Sequence, residues 1–429
     1  MSRKARVIKL VLNIINGRVW TGNQLEEIGI SIEGNKIIKV SNEMNLLKAE
    51  NTIDAEDNIV FPGCIDVHSH LRDSNLSYKE DFISGTSAAL AGGFTTILDM
   101  PNTKPPITNV KELIKRQKEA SEKIFCNVGF YCSPINNNDI EPLVKSNAIG
   151  FKIYLHKPFE NQELSRDNIE TMMRNIKKNN SILLIHAESS DLFENNNHVV
   201  ESETVAIEQM IKLAKKTKCK IHIVHVSTNK GLKIIMDNKH KIDISCETTP
   251  HHMILNTEEI IEDQHCEPPL RDRNNQQAIF EGIKNGNIDM IATDHAPHTV
   301  EEKEQSYPGF PGLEITVPLM FDLFYQEKIT LQRIFEVLVK NPVERFKLKN
   351  IGQIKEGYNA DLILINEKNY KIIEPKNFLS KAKFTPFKGK KVNGEITTTI
   401  INGKIGFRNG KILSKPGIGR VLKRTTDFN

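Results

Sequence analysis

Two histidines one residue apart, His68 and His70, open the chemistry of this chain. In an extended strand successive side chains point to opposite faces, so both imidazoles point the same way. That makes a ready pair of metal ligands. Arg72, two residues on, can reach the same cavity with a planar cationic fork. Further along, apolar runs end in groups that bind metals or move protons. Lys152 lies inside one run, His186 and His225 end two others, Glu247 ends a fourth, and Asp294, His295 and His298 follow the last. Each alone has a bland explanation: a lysine can snorkel out of a strand, and a terminal His or Asp can cap a loop. Converging on one rim they are hard to explain by folding, because a buried polar group costs free energy unless it is paired.

Two divalent cations would account for the set. One fits His68, His70 and Asp294, the other His186 and His225. A bridging anion is then needed. As an ammonium, with an ordinary pKa of about 10.4, Lys152 would repel the metals. After reaction with carbon dioxide it carries a carbamate, an anionic oxygen ligand able to span both. Such a pair lowers the pKa of a shared water toward roughly 7 and directs hydroxide at a carbonyl. Asp294 is suited to take the proton and pass it to a leaving nitrogen.

The elements that must position these groups follow from apolar periodicity. Strand-like runs occur at 65–70, 94–99, 126–132, 149–154, 182–186, 221–226, 242–247 and 288–293. Helix-like segments lie between most of them, at 79–90, 110–121, 167–178, 201–215 and 274–284, with closing helices at 315–326 and 331–340. Eight runs alternating with helices predict a (β/α)8 TIM barrel rather than an open sheet. Both chain ends read differently, as short β-rich pieces punctuated by Asn16-Gly17, Gly34-Asn35, Asn402-Gly403 and Asn409-Gly410, which predict hairpins. The expected organisation is a β-sandwich built from 1–61 and 346–429 around a barrel over 62–345.

Composition bounds the partners. The chain has 429 residues, and a net charge of +4 on 58 basic and 54 acidic residues gives no case for nucleic-acid binding. No apolar run is long enough to cross a bilayer and no secretory signal opens the chain, so a cytoplasmic location is expected. The six cysteines are scattered without a Cys-x-x-Cys pair, as in a reduced intracellular protein. Three further histidines read as structural. His222, three residues before His225, falls off the face assigned to His225, and His251 and His252 follow Pro250 in a loop. His156 and His198 carry no argument.

The motifs resemble those of dihydroorotases in the amidohydrolase superfamily. They are Pro62-Gly-Cys-Ile-Asp-Val-His-Ser-His-Leu-Arg72, Lys79-Glu-Asp-Phe82, Ala91-Gly-Gly-Phe-Thr-Thr96, Asp99-Met-Pro-Asn-Thr103, His222-Ile-Val-His-Val-Ser227, Glu247-Thr-Thr-Pro-His-His252, Pro268-Pro-Leu-Arg271, Thr293-Asp-His-Ala-Pro-His298 and Gly357-Tyr-Asn-Ala-Asp-Leu362. The resemblance covers nearly the whole chain. It implies a binuclear zinc barrel carrying out the reversible cyclisation of N-carbamoyl-L-aspartate to dihydroorotate, the third step of pyrimidine synthesis. Carried over, the metal ligands fall on His68, His70, carboxylated Lys152, His186, His225 and Asp294, with Asp294 as general base. Arg72, Asn102 and His298 would grip the substrate carboxylate, with Arg271 near the same end. Glu247 is either a further ligand or an orienting partner, the latter favoured. A homodimer or higher homo-oligomer, and docking with aspartate carbamoyltransferase, are also implied. Two departures stand out. Asp73-Ser74-Asn75 replaces the usual Glu-Pro-Gly after Arg72, and Pro158 stands near where the family often has a Thr that closes over substrate. The alternatives are a cyclic amidohydrolase for dihydropyrimidines, hydantoins or allantoin, which lacks an anion clamp, and a metal-less scaffold homologue, which would have lost ligand positions.

Overall fold

The structure, a computed structural model, describes residues 10–159, 162–193, 198–259 and 265–424. Residues 1–9 of the expected N-terminal segment lie outside the described residues. Eight parallel strands form one sheet in sequential order: β1 (Cys64–Ser69), β2 (Phe94–Asp99), β3 (Asn127–Cys132), β4 (Gly150–Tyr154), β5 (Ile182–His186), β6 (Lys220–Ile223), β7 (Ile244–Thr248) and β8 (Met290–Ile291). A parallel bridge between Ser69 and His295 joins the last strand to the first, and the His70 N–H donates to the His295 carbonyl at 2.9 Å. The sheet closes into a TIM-type barrel, with helices such as Phe82–Ala91, Val110–Lys123, Arg166–Lys178, Val200–Thr217 and Arg273–Lys284 outside it.

Strand periodicity decides which groups face inward. In β5, Leu183 and Ile185 join the core under the helices, while Ile182 and Leu184 join the barrel interior. His186, next in phase, therefore faces the interior. The same alternation holds in β4, where Phe151 and Ile153 pack outward and Lys152 inward. In β1 a register shift between Asp66 and Ser69 changes the phase after Val67 and brings His68 and His70 to the interior face. β6 and β8 end earlier than the apolar runs at 221–226 and 288–293 suggested. His225 and Asp294 sit at φ +35° and +44°, which no ladder can accommodate.

Both chain ends contribute to the remaining two sheets. One has four strands in the order Lys36–Ser41, Gly29–Glu33, Val11–Ile15, Asn51–Asp54. The other has seven, with Leu362–Ile372 and Lys391–Ile401 beside Ile59–Pro62 and Arg18–Trp20. Val60, Leu362, Leu364 and Ile400 meet Ile14, Ile30 and Ile53 of the four-stranded sheet in one core. On the opposite face Phe61, Ile363, Ile365 and Ile401 pack against the barrel helices. The Asn402-Gly403 and Asn409-Gly410 hairpins form as expected. Asn16-Gly17 does not make a hairpin: Val11–Ile15 and Arg18–Trp20 belong to different sheets, and Asn16 at φ +54° turns the chain between them. The closing helix expected over 331–340 is broken into Leu331–Phe335, a π-helical turn at Glu336–Lys340, and Asn341–Phe346. Phe346 from the last piece, with Ile351, packs into the barrel interior. No described helix is long and apolar enough to cross a membrane.

Candidate metal centre and substrate pocket

His68, His70 and Asp294 are buried and bring their donor atoms within 4.8 Å of one another. Nδ1 of His68 lies 2.5 Å from Glu247 Oε1, and Nδ1 of His70 lies 2.6 Å from Asn102 Oδ1. A carboxylate and an amide oxygen only accept, so each Nδ1 carries the hydrogen and each Nε2 is left with a lone pair. Both Nε2 atoms then face Asp294 Oδ1, at 3.3 Å from His68 and 3.1 Å from His70. Burial pushes the His68 imidazole down to about 3 and lowers that of His70 also, so neither ring is cationic near neutrality. Two lone pairs and a carboxylate oxygen converging without a proton between them is the arrangement a metal ion satisfies.

Lys152 is fully buried, and its Nζ has no hydrogen-bond partner among the described residues. Its ammonium lies 4.7 Å from the Tyr154 ring centroid, and burial pushes its pKa down to about 7. His225 Nδ1 is likewise buried and unpartnered. Its ring centroid lies 4.5 Å from that of His186 and 5.3 Å from that of His68. The expected ligands of the two cations therefore share one cavity. Two buried polar atoms left without partners there fit a group that would engage them.

The residues expected to grip substrate divide. Arg72 is buried, its Nε has no partner, and no protein hydrogen bond to its guanidinium exists among the described residues. The other three already have partners. Asn102 holds His70. Arg271 donates from Nε to Ser227 Oγ at 3.1 Å and lies 3.8 Å from Glu188 Oε1. His298 Nδ1 lies 3.2 Å from Lys79 Nζ and 3.1 Å from Glu302 Oε2. The loop that departs from Glu-Pro-Gly runs through three left-handed residues, Arg72, Asp73 and Ser74, at φ +50°, +55° and +49°. Asp73 holds it by accepting from the Phe82 N–H at 3.1 Å. Beyond β4, Phe159 meets Tyr154 edge-on at 5.6 Å.

Several site residues were not legible as such. Glu188 accepts from His186 Nε2 at 2.7 Å and His198 Nδ1 at 2.9 Å, and burial opposed by those two partners leaves its carboxyl well below the usual range. Its signal was its place two residues after His186, in phase with it. His156 lies 4.3 Å, ring to ring, from His186 and forms a second potential ligand group with His186 and Glu188. His222 lies on the interior, not off it: its Nε2 is 2.9 Å from Glu247 Oε2. It is His225 that breaks the alternation. His251 and His252 belong to a short helix, Pro250–Ile254, rather than a loop. The Lys79-Glu-Asp-Phe82 motif divides its work: Lys79 pairs with Glu302 at 2.8 Å, buried Glu80 reaches His295 Nε2 at 3.2 Å, and Asp81 caps the following helix.

A closed barrel with inward histidines and an aspartate at the C-terminal strand ends is the framework of a metal-dependent hydrolase. The profile described as Amidohydrolase family matches residues 59–406, and the chain belongs to that family. Among its relatives is the dihydroorotase of Pyrococcus horikoshii, 37% identical over 96% of this chain and 95% of that one. The dihydroorotase of Lactobacillus gasseri is 32% identical over 92% of this chain and 99% of its own. Among solved structures, the L-hydantoinase (dihydropyrimidinase) of Arthrobacter aurescens superposes with a TM-score of 0.92 at 25% identity, covering 97% of this chain and 100% of that one. A dihydropyrimidinase from Brevibacillus agri gives 0.90 at 22% identity, covering 97% and 99%, and so shares the fold.

Proposed function

We propose that this chain is a dihydroorotase, interconverting N-carbamoyl-L-aspartate and (S)-dihydroorotate with two zinc ions. His68, His70 and Asp294 would hold one cation and His186 and His225 the other, with carboxylated Lys152 between them. When bound, the cations supply Lewis acidity that activates water and polarises the amide carbonyl. The pocket's own residues do the rest. In hydrolysis Asp294 takes a proton from the attacking water and delivers it to the departing ring nitrogen; in cyclisation the transfer runs backward. A cation held beside it would keep the Asp294 carboxylate ionised and available as a base. Glu247 and Asn102 hold His68 and His70 in the tautomer that offers Nε2.

The observation that carries the reading is Arg72. A buried guanidinium that makes no hydrogen bond to the described residues is costly unless an acceptor completes it, and dihydroorotate brings a carboxylate. The hydantoinase-like fold favours a second reading, hydrolysis of a neutral cyclic amide, which would offer the Arg72 donors no carboxylate. A purified-protein assay separates them: dihydroorotate should be turned over far faster than dihydrouracil, hydantoin or allantoin. Equal or faster turnover of a neutral ring would replace the first reading with the second. The scaffold alternative would show as fewer than one metal per chain and no turnover. Homo-oligomerisation, docking with aspartate carbamoyltransferase and a cytoplasmic location belong to the same proposal; sedimentation with and without that enzyme tests the first two.

A further inference from the structure

On the flank of this centre lies a third group of buried ligands that the reaction does not use. His251, His252 and Cys266 offer donor atoms within 4.8 Å of one another, and the two rings lie 4.6 Å apart. Each residue is available to a cation for a separate reason. His251 Nε2 is buried without a hydrogen-bond partner. His252 Nε2 lies 2.9 Å from the Pro268 carbonyl oxygen, which can only accept, so that nitrogen carries the hydrogen and Nδ1 keeps a lone pair. Thr249 Oγ1 accepts from the His252 backbone N–H and so offers its own hydrogen to Nδ1 at 2.8 Å, a contact that rotation of one hydroxyl releases. An imidazole whose other nitrogen donates to a backbone carbonyl is the usual state of a metal-bound histidine. Cys266 is buried, and burial pushes its thiol up to about 12 against the opposing Leu270 backbone N–H at its sulfur, so it holds its proton until a cation displaces it.

We propose that His251, His252 and Cys266 form a further cation site of the zinc type, distinct from the centre around His68, His70 and Asp294. Two imidazoles and one thiolate match the ligand preferences of zinc and of softer divalent ions, with a fourth position left for water or an anion. Binding exchanges the thiol proton for the metal: the S–H bond breaks, a sulfur–metal bond forms, and the proton leaves to solvent. The cation ties the helix Pro250–Ile254 to the segment 265–271, whose last residue, Arg271, reaches Ser227 and Glu188 at the pocket. Occupancy therefore stiffens the stretch that places Arg271. None of this depends on the substrate assigned above.

Cobalt distinguishes the two sites, because only the one proposed here contains sulfur. Cobalt-loaded full-length protein should show a near-ultraviolet thiolate-to-cobalt charge-transfer band and bind one more cation than the His and Asp ligands require. Cys266→Ser should remove that band and the extra cation while the visible d–d bands remain. His251→Gln, which gives up a nitrogen that has no partner to lose, should weaken cation binding at this site at least tenfold. A loaded protein without the charge-transfer band overturns the site, as does a band that persists in Cys266→Ser, or metal stoichiometry and affinity unchanged by both variants. If instead the binuclear reading fails, the d–d bands of the six-ligand centre are lost and the sulfur band stays.

Discussion

Glu247 Oε1 lies 2.5 Å from His68 Nδ1, and its other oxygen lies 2.9 Å from His222 Nε2. One buried carboxylate thus orients a metal-facing imidazole from behind while anchored to a second ring. His222 is itself held by Ser245 Oγ at 2.7 Å. Glu247 stands behind the ligands in this geometry, and its charge makes His68 a stronger donor.

Glu247→Gln keeps the shape and removes the charge. Metal affinity should fall by roughly 10-fold or more, read by competition with a chelator. An unchanged affinity would mean that the His68 tautomer is held by something other than this carboxylate.

Lys152→Ala should release metal and abolish turnover, with partial recovery on adding short carboxylic acids that replace the bridging oxygens. Metal analysis and rates measured together check this. A variant that keeps both metal and full activity removes the carbamate bridge.

Arg72→Lys retains the charge but not the two-pronged geometry. Loss of about 1.5–3 kcal/mol of charge-assisted hydrogen bonding should raise KM for dihydroorotate by roughly 10- to 100-fold, with metal content intact. Unaltered kinetics would take Arg72 out of the carboxylate subsite.

Half-buried Glu314, which accepts from the Leu379 and Ser380 N–H groups at 2.8 and 3.1 Å, is pushed by desolvation from 4.5 up to about 7. A folded-state pKa above the unfolded value means its stabilising share is complete below 4.5 and is lost as pH rises through about 7. The melting temperature should therefore fall between about pH 5 and pH 8. Glu314→Gln should be less stable at the acid end, where one N–H loses its acceptor, yet show a flatter pH profile. A profile as steep as the parent's would assign the dependence to other groups.

Residue types and their spacing determined a good deal by themselves. The eightfold alternation of apolar runs and helices specified the barrel, because strand and helix periods are local properties. The same two-residue period determined that His68 and His70 share a face and that Lys152 and His186 point inward. Which histidine of the β6 region enters the cavity was a different matter. Continuing the strand predicts one face for His222 and the other for His225, but a left-handed residue just past the strand sets His225 facing His186 while His222 stays inside. His156 and the His251, His252 and Cys266 group were invisible as sites for the same reason. For His156 and Cys266 the partners lie on other segments that no local period brings together, whereas Glu188, two residues past His186, did carry a local signal. Only closure of the barrel decided which lone pairs would face one another across it.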